Sequence, residues 1–120
     1  MEQNSCRDKW EYVERVIAYM GDHLKESLTL RQLAREAGLS ESYLNVVFKE
    51  CIRRAPMDYY INMKMEQACR LLCTTDLRVC QVAGQLGYDN QYYFSRAFKK
   101  VMGLSPKAYK KNSLPGSLTV

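Results

Sequence analysis

The 120-residue chain contains a second, altered copy of part of itself, and that repeat restricts its fold more than any other feature. Leu30, Leu33, Ala34 and Gly38 recur as Val79, Val82, Ala83 and Gly87, an offset of 49 residues. Tyr43, Leu44, Phe48 and Lys49 then recur as Tyr93, Phe94, Phe98 and Lys99, at an offset of 50. Pro56 and Tyr59 return as Pro106 and Tyr109 at the same offset. The offset grows by one inside the repeat, so the second copy has a turn one residue longer. Two copies are too few for a solenoid. Whatever the first copy folds into, the second must fold into nearly the same thing.

The apolar spacing shows what that is. Trp10, Val13, Val16, Ile17, Met20 and Leu24 mark an amphipathic helix over about 8–24. Thr29 reads as the N-cap of the next helix, with Gln32 completing a capping box and Leu28 stapling to Leu33. Leu30, Leu33, Ala34 and Ala37 give its inner stripe, and Gly38 ends it. Ser40 caps a further helix with Leu44, Val47, Phe48 and Cys51 inward. Two short helices across a tight glycine turn are a helix-turn-helix, here over about 30–51. Pro56 opens a longer helix over about 57–73, with Ile61, Met65, Ala68 and Leu72 inward. The second helix-turn-helix spans about 78–101. Val79, Val82, Ala83 and Leu86 line its first helix, and Phe94, Ala97, Phe98 and Val101 line its second. The spacing predicts Asp89 as the cap of that second helix. Ser105 and Pro106 start a last short helix, and 112–120 reads as a flexible tail without periodicity. The expected fold class is therefore all-α, with two helix-turn-helix subdomains joined by a long central helix, as one domain over 8–111. A joining helix of about 17 residues spans roughly 25 Å, which suits two recognition helices set about one duplex turn, near 34 Å, apart.

Composition narrows the partners. The net charge of +5 is unevenly placed: residues 1–60 hold nine basic side chains against ten acidic, and residues 61–120 hold nine against three. Such asymmetry points to a polyanion met mainly through the second half. No apolar run approaches the ~18–20 residues of a membrane span, and the polar N-terminus has no signal-peptide core. A cytoplasmic location is the default. Five cysteines without CxxC spacing, and a single histidine, supply neither a zinc quartet nor a disulfide framework. Cys69 and Cys73, at i and i+4, share a helical face but lack further ligands; packed, reduced thiols are the expectation. No nucleophile–base set, carboxylate pair or phosphate-cradling loop is present, so no enzyme, cofactor or metal is expected.

The stretch from Gly87 to Lys100 carries the chemistry. Opposite its apolar stripe lie Gln91, Tyr92, Ser95, Arg96 and Lys99, with no carboxylate after Asp89. A plain solvated face favours Glu, Lys and Asp. This one offers bidentate groups suited to base edges, arginine to guanine and glutamine to adenine. The competing reading for Arg96 is a surface ion pair with Asp89 or Asp76.

These residues resemble the AraC/XylS family of bacterial transcription regulators. The match runs through Val82-Ala83, Gly87-Tyr88, Tyr93 to Lys100, Gly103 to Pro106 and Tyr109. In the first unit it runs through Leu33-Ala34, Gly38 to Ser40, Tyr43-Leu44 and Phe48-Lys49. The resemblance covers about 10–111. It implies seven helices, binding to double-stranded promoter DNA, and activation through RNA polymerase. Such a chain is either a stand-alone regulator controlled by abundance or the C-terminal output domain of a longer protein, with a sensor or receiver domain outside this chain. Carried over by position, Ser42, Asn45 and Val46 would face bases from the first unit. Asn90, Gln91, Tyr92, Ser95 and Arg96 would do so from the second. Lys49 and Lys99 would lie near phosphate; Lys100 is expected to add affinity beside them, and Lys107, Lys110 and Lys111 are either phosphate contacts or a solvated terminus. The face derived above for the second unit agrees. Two departures stand out. Arg53 occupies the position of Gly103, which forces either a left-handed arginine or a different turn; Arg53 and Arg54 would then reach phosphate. Arg78 stands where a Ser or Thr cap is common, so Asp76 is expected to cap instead. Val46, opposite Arg96, offers only apolar contact. The alternative function is therefore a module of this fold that binds another regulator or polymerase and binds DNA weakly.

Overall fold

The structure, a computed structural model, describes residues 6–112. Seven helices make up the described residues: α1 Cys6–Asp22, α2 Leu30–Ala37, α3 Glu41–Ile52, α4 Pro56–Thr74, α5 Val79–Gln85, α6 Gln91–Met102 and α7 Pro106–Asn112. The expected all-α class holds, with boundaries close to those read from periodicity. The chain divides into two compact units. One runs to Leu24 and resumes over Leu28–Ile61; the other takes Lys25–Ser27 and the chain from Asn62 onward. Helix α4 therefore contributes its opening turns to the first unit and the rest to the second.

In the first unit α1 packs on α2 and α3. Val13, Val16, Met20, Leu33, Leu44, Val47 and Phe48 are fully buried there. The capping box at Thr29 forms as expected: Thr29 Oγ1 accepts from the Gln32 amide at 3.2 Å, and Gln32 Oε1 accepts from the Thr29 amide at 2.8 Å. Those bonds satisfy N-terminal amides that have no partner inside the helix.

In the second unit α5 packs on α6, and α6 on α7, around buried Val82, Phe94 and Phe98. The repeat is visible bond by bond. Gly38 and Leu39 close α2 by donating to the Arg35 and Ala34 carbonyls; Gly87 and Tyr88 donate to those of Gly84 and Ala83. This two-bond closure needs a left-handed residue, which Gly38 (φ 73°) and Gly87 (φ 81°) supply. Phe48 meets Tyr59 edge-on at 5.5 Å, and Phe98 meets Tyr109 edge-on at 5.6 Å. Pro56 and Pro106 are both buried.

Four expectations need correction. Asn90, not Asp89, caps α6: its Oδ1 accepts from the Tyr92 amide at 2.6 Å. The inserted residue lies between the glycine and the cap, so Ser40 corresponds to Asn90. Asp76 does not cap α5. Arg78 is the N-cap, and since its side chain has no acceptor only the reciprocal bond forms, from the Arg78 amide to Gln81 Oε1 at 2.7 Å. Val101 is 37% exposed, because the last turn of α6 runs past the core that holds Phe94 and Phe98. Asn112 belongs to α7, and the remainder of the expected tail, 113–120, lies outside the described residues.

Candidate nucleic-acid interface

Each unit presents one helix whose buried stripe fixes an outward face. In α3, Ser40 Oγ accepts from the Tyr43 amide at 3.1 Å, and burial of Leu44, Val47 and Phe48 sets the rotation. Ser42, Val46 and Lys49 are exposed and Asn45 is half-buried. Val46 leaves 49% of its surface bare. Carboxylates stand at both ends of this helix, each beside a cation: Glu41 lies 3.8 Å from Arg31, and Glu50 lies 2.8 Å from Lys9. Beyond the helix, Arg53 takes the left-handed conformation, φ 69° and ψ 22°, and its amide donates to the Lys49 carbonyl at 2.9 Å. The arginine adopts the glycine geometry rather than rebuilding the turn. Arg53 and Arg54 are both exposed.

In α6, burial of Phe94 and Phe98 turns Gln91, Tyr92, Arg96, Lys99 and Lys100 to the surface, with Ser95 half-buried. No carboxylate occurs between Gln91 and Met102. Among the described residues Arg96 has no carboxylate partner, so the ion pair with Asp89 or Asp76 does not form. Its guanidinium lies 5.7 Å from the Tyr92 ring centre instead. Held over a ring rather than against an acid, the guanidinium keeps its N–H donors for a base edge. Tyr92 in turn meets Tyr93 edge-on at 5.8 Å, and each is 62% exposed. Its repeat partner Tyr43 is half-buried, but Tyr93 does not follow it toward the core. Instead it widens the aromatic surface of α6. Asn90 has its side-chain oxygen committed to the cap, which leaves its amide nitrogen for contact.

The start of α6 is held by a device that sequence reasoning did not reach. Lys64, on α4, is 4% exposed and donates to the Glu26 and Leu86 carbonyls, the latter at 2.6 Å. Its Nζ also lies 5.3 Å from the Tyr88 ring centre. Burial pulls its pKa down from 10.5 to about 8, against the opposing pull of Glu26. Ser27 Oγ donates to the Gly87 carbonyl at 3.1 Å. A Cβ on Gly87 would meet the Lys25 carbonyl oxygen at 2.7 Å, so the segment 25–27 seats against the turn only because that residue is glycine. At the far end of the unit, Lys110 donates to the Leu77 carbonyl at 2.6 Å, which makes it an anchor for α7, while Lys107 and Lys111 are exposed.

The chain is similar to known proteins in sequence and in fold. A family model described as a helix-turn-helix domain matches residues 33–112. The MmsAB operon regulatory protein of Pseudomonas aeruginosa is 42% identical over 99 residues, covering 82% of this chain and 32% of that protein. The arabinose operon regulatory protein of Escherichia coli is 32% identical over 82% of this chain and 34% of its own. The chain thus spans about a third of the length of these relatives. The C-terminal domain of AraT, a response regulator from Geobacillus stearothermophilus, superposes with a TM-score of 0.83 at 34% identity, covering 91% of each chain. The DNA-binding domain of AdpA in complex with a target DNA gives 0.77 at 32% identity, over 83% of this chain and 89% of that one. The repeated helix-turn-helix, the outward faces of α3 and α6, and these likenesses together make the chain a member of the AraC/XylS family of transcription regulators, as a DNA-binding domain.

Proposed function

We propose that this domain reads promoter DNA with α3 and α6 in two successive major-groove segments, and that α6 supplies most of the sequence discrimination. The observation that carries the reading is the face of α6: exposed Gln91, Tyr92 and Arg96, flanked by Lys99 and Lys100, without an acid along the helix. Arg96 is the guanine reader, in a bidentate contact worth about 1–3 kcal/mol of discrimination. Gln91 suits adenine, and Asn90, Tyr92 and Ser95 complete the set. In the first unit Ser42 and Asn45 are the polar readers, and Val46 meets a thymine methyl. Lys49, Arg53, Arg54, Lys99, Lys100 and Lys107 hold phosphates and add affinity without sequence information. The output is transcriptional activation through RNA polymerase. Relatives three times as long support control by a sensor or receiver domain.

The test is selection of bound sequences from a random duplex pool, with wild type and Arg96→Ala side by side. Two short motifs about one helical turn apart, with one base preference lost in the variant, support the reading. Binding without a motif removes it. A second reading, a module that docks on another regulator, draws on the bare Val46 and on the carboxylates of α3. It predicts binding that scarcely responds to salt.

A further inference from the structure

The turn that launches α6 is gripped from two distant parts of the chain. Leu86 ends α5, where carbonyls run out of helical partners. Lys64 Nζ donates to its carbonyl at 2.6 Å, and a cation there also suits the negative end of the helix. The same Nζ donates to the Glu26 carbonyl, in the connector between α1 and α2. The Gly87 carbonyl accepts from Ser27 Oγ at 3.1 Å, and a Cβ on Gly87 would meet the Lys25 carbonyl oxygen at 2.7 Å. The Tyr88 ring centre lies 5.3 Å from the ammonium, and the ring meets Phe94 edge-on at 5.4 Å. Three consecutive residues of the turn are thus tied to Lys64 or to residues 25–27. Phe94 is in turn one of the two buried residues that set the rotation of α6. Lys64, the connector and α6 all belong to the second unit.

From these contacts we infer that Lys64 is a positioning residue for base reading by α6. Being buried, it reaches no base itself. It pins the turn 86–88 to the connector 25–27, and that turn fixes where α6 starts and how it is rotated. The inference rests on the DNA reading proposed above. A bidentate contact from Arg96 tolerates a misplacement of only about 0.5 Å and 10–20°. An apolar side chain at position 64 would fill the space but hold neither carbonyl, so α6 would keep its helix and lose its aim. The exposed connector is thereby part of what reads DNA, although Ser27 and Gly87 stand 60 positions apart in the chain.

The test uses the full chain and compares wild type, Lys64→Met and Ser27→Ala. Each is put through selection from a random duplex pool, then affinities are measured for the selected duplex and for duplexes altered at single bases. Arg96→Ala marks the bases read by α6. Partial unfolding lowers the affinity for every duplex by one factor, so it cancels in the ratio of selected to altered duplex. Lys64→Met should lower that ratio at the α6 bases by about fivefold or more, the lower end of what a bidentate contact supplies. The ratio at the α3 bases should stay unchanged. Ser27→Ala, at an exposed site, should lower the α6 ratio by about twofold. Leu72→Ala, a core truncation on the same helix whose side chain makes no bond to the turn, should lower stability and leave both ratios alone. If far-ultraviolet dichroism shows Lys64→Met unfolded, Ser27→Ala decides. A wild type that selects no motif removes the DNA reading, and this inference with it. A wild-type motif with an α6 ratio unchanged in the folded variants overturns the inference alone, and so does an equal loss in Leu72→Ala.

Discussion

Arg53 is the one non-glycine residue with positive φ among the described residues, and its repeat partner Gly103 shows what the position asks for. A left-handed conformation is unfavourable for an L-residue by roughly 1–2 kcal/mol, which the greater backbone freedom of an unfolded glycine offsets only in part. Arg53→Gly is therefore expected to raise stability by about 0.5–1 kcal/mol in denaturant unfolding. If Arg53 holds a phosphate, the same change lowers DNA affinity. Gly87 lies at the opposite extreme. Gly87→Ala adds a methyl 2.7 Å from the Lys25 carbonyl oxygen, whereas Gly38→Ala meets nothing within 4 Å. Both lose the left-handed preference, but only Gly87→Ala must also displace backbone, so it should be the more destabilising by at least about 1 kcal/mol. Equal losses would show that segment 25–27 does not seat against the turn. Lys64 adds a pH signature. Between pH 8 and 10.5 the unfolded chain keeps a proton on this amine that the folded chain has released, so its contribution to stability rises with pH across that window. Wild type should gain more stability than Lys64→Met between about pH 7.5 and about pH 9.5, below the range where half-buried Tyr88 titrates.

At the scale of the helix, α6 depends on a cap that the repeat displaced by one residue. Asn90→Ala removes the acceptor for the Tyr92 amide and should cost about 1 kcal/mol, while Asp89→Ala should cost little. Thermal unfolding of the two variants side by side checks the assignment. The helices themselves were largely legible, since heptad-like stripes such as Phe94 with Phe98, and signals such as Thr29 with Gln32, are local. The faces followed, because burying one stripe leaves little choice about the other. What local pattern could not supply was the exposure of Tyr93 or Val101, which depends on where the neighbouring core ends.

At the scale of the whole molecule, the charge asymmetry should appear in DNA binding. Lys99→Gln is expected to weaken binding to all sequences alike, and to flatten the slope of log affinity against log salt by about one phosphate contact, ~0.9. Arg96→Ala should instead change which sequences are bound. A Lys99→Gln variant with altered base preference but an unchanged salt slope would reverse the division of roles between the two residues.

The sequence by itself determined the seven helices, the duplication, and the sides of α3 and α6 that stay out of the core. All of these arise from periodicity, caps and turns within a few residues of one another. The tertiary structure alone decided that Lys64 lies buried between the Glu26 and Leu86 carbonyls and that Gly87 must admit the segment 25–27. Those contacts join residues 22 to 62 positions apart in the chain. No spacing rule encodes such meetings; they exist only once packing brings a side chain of one helix within bonding distance of backbone carbonyls elsewhere in the chain.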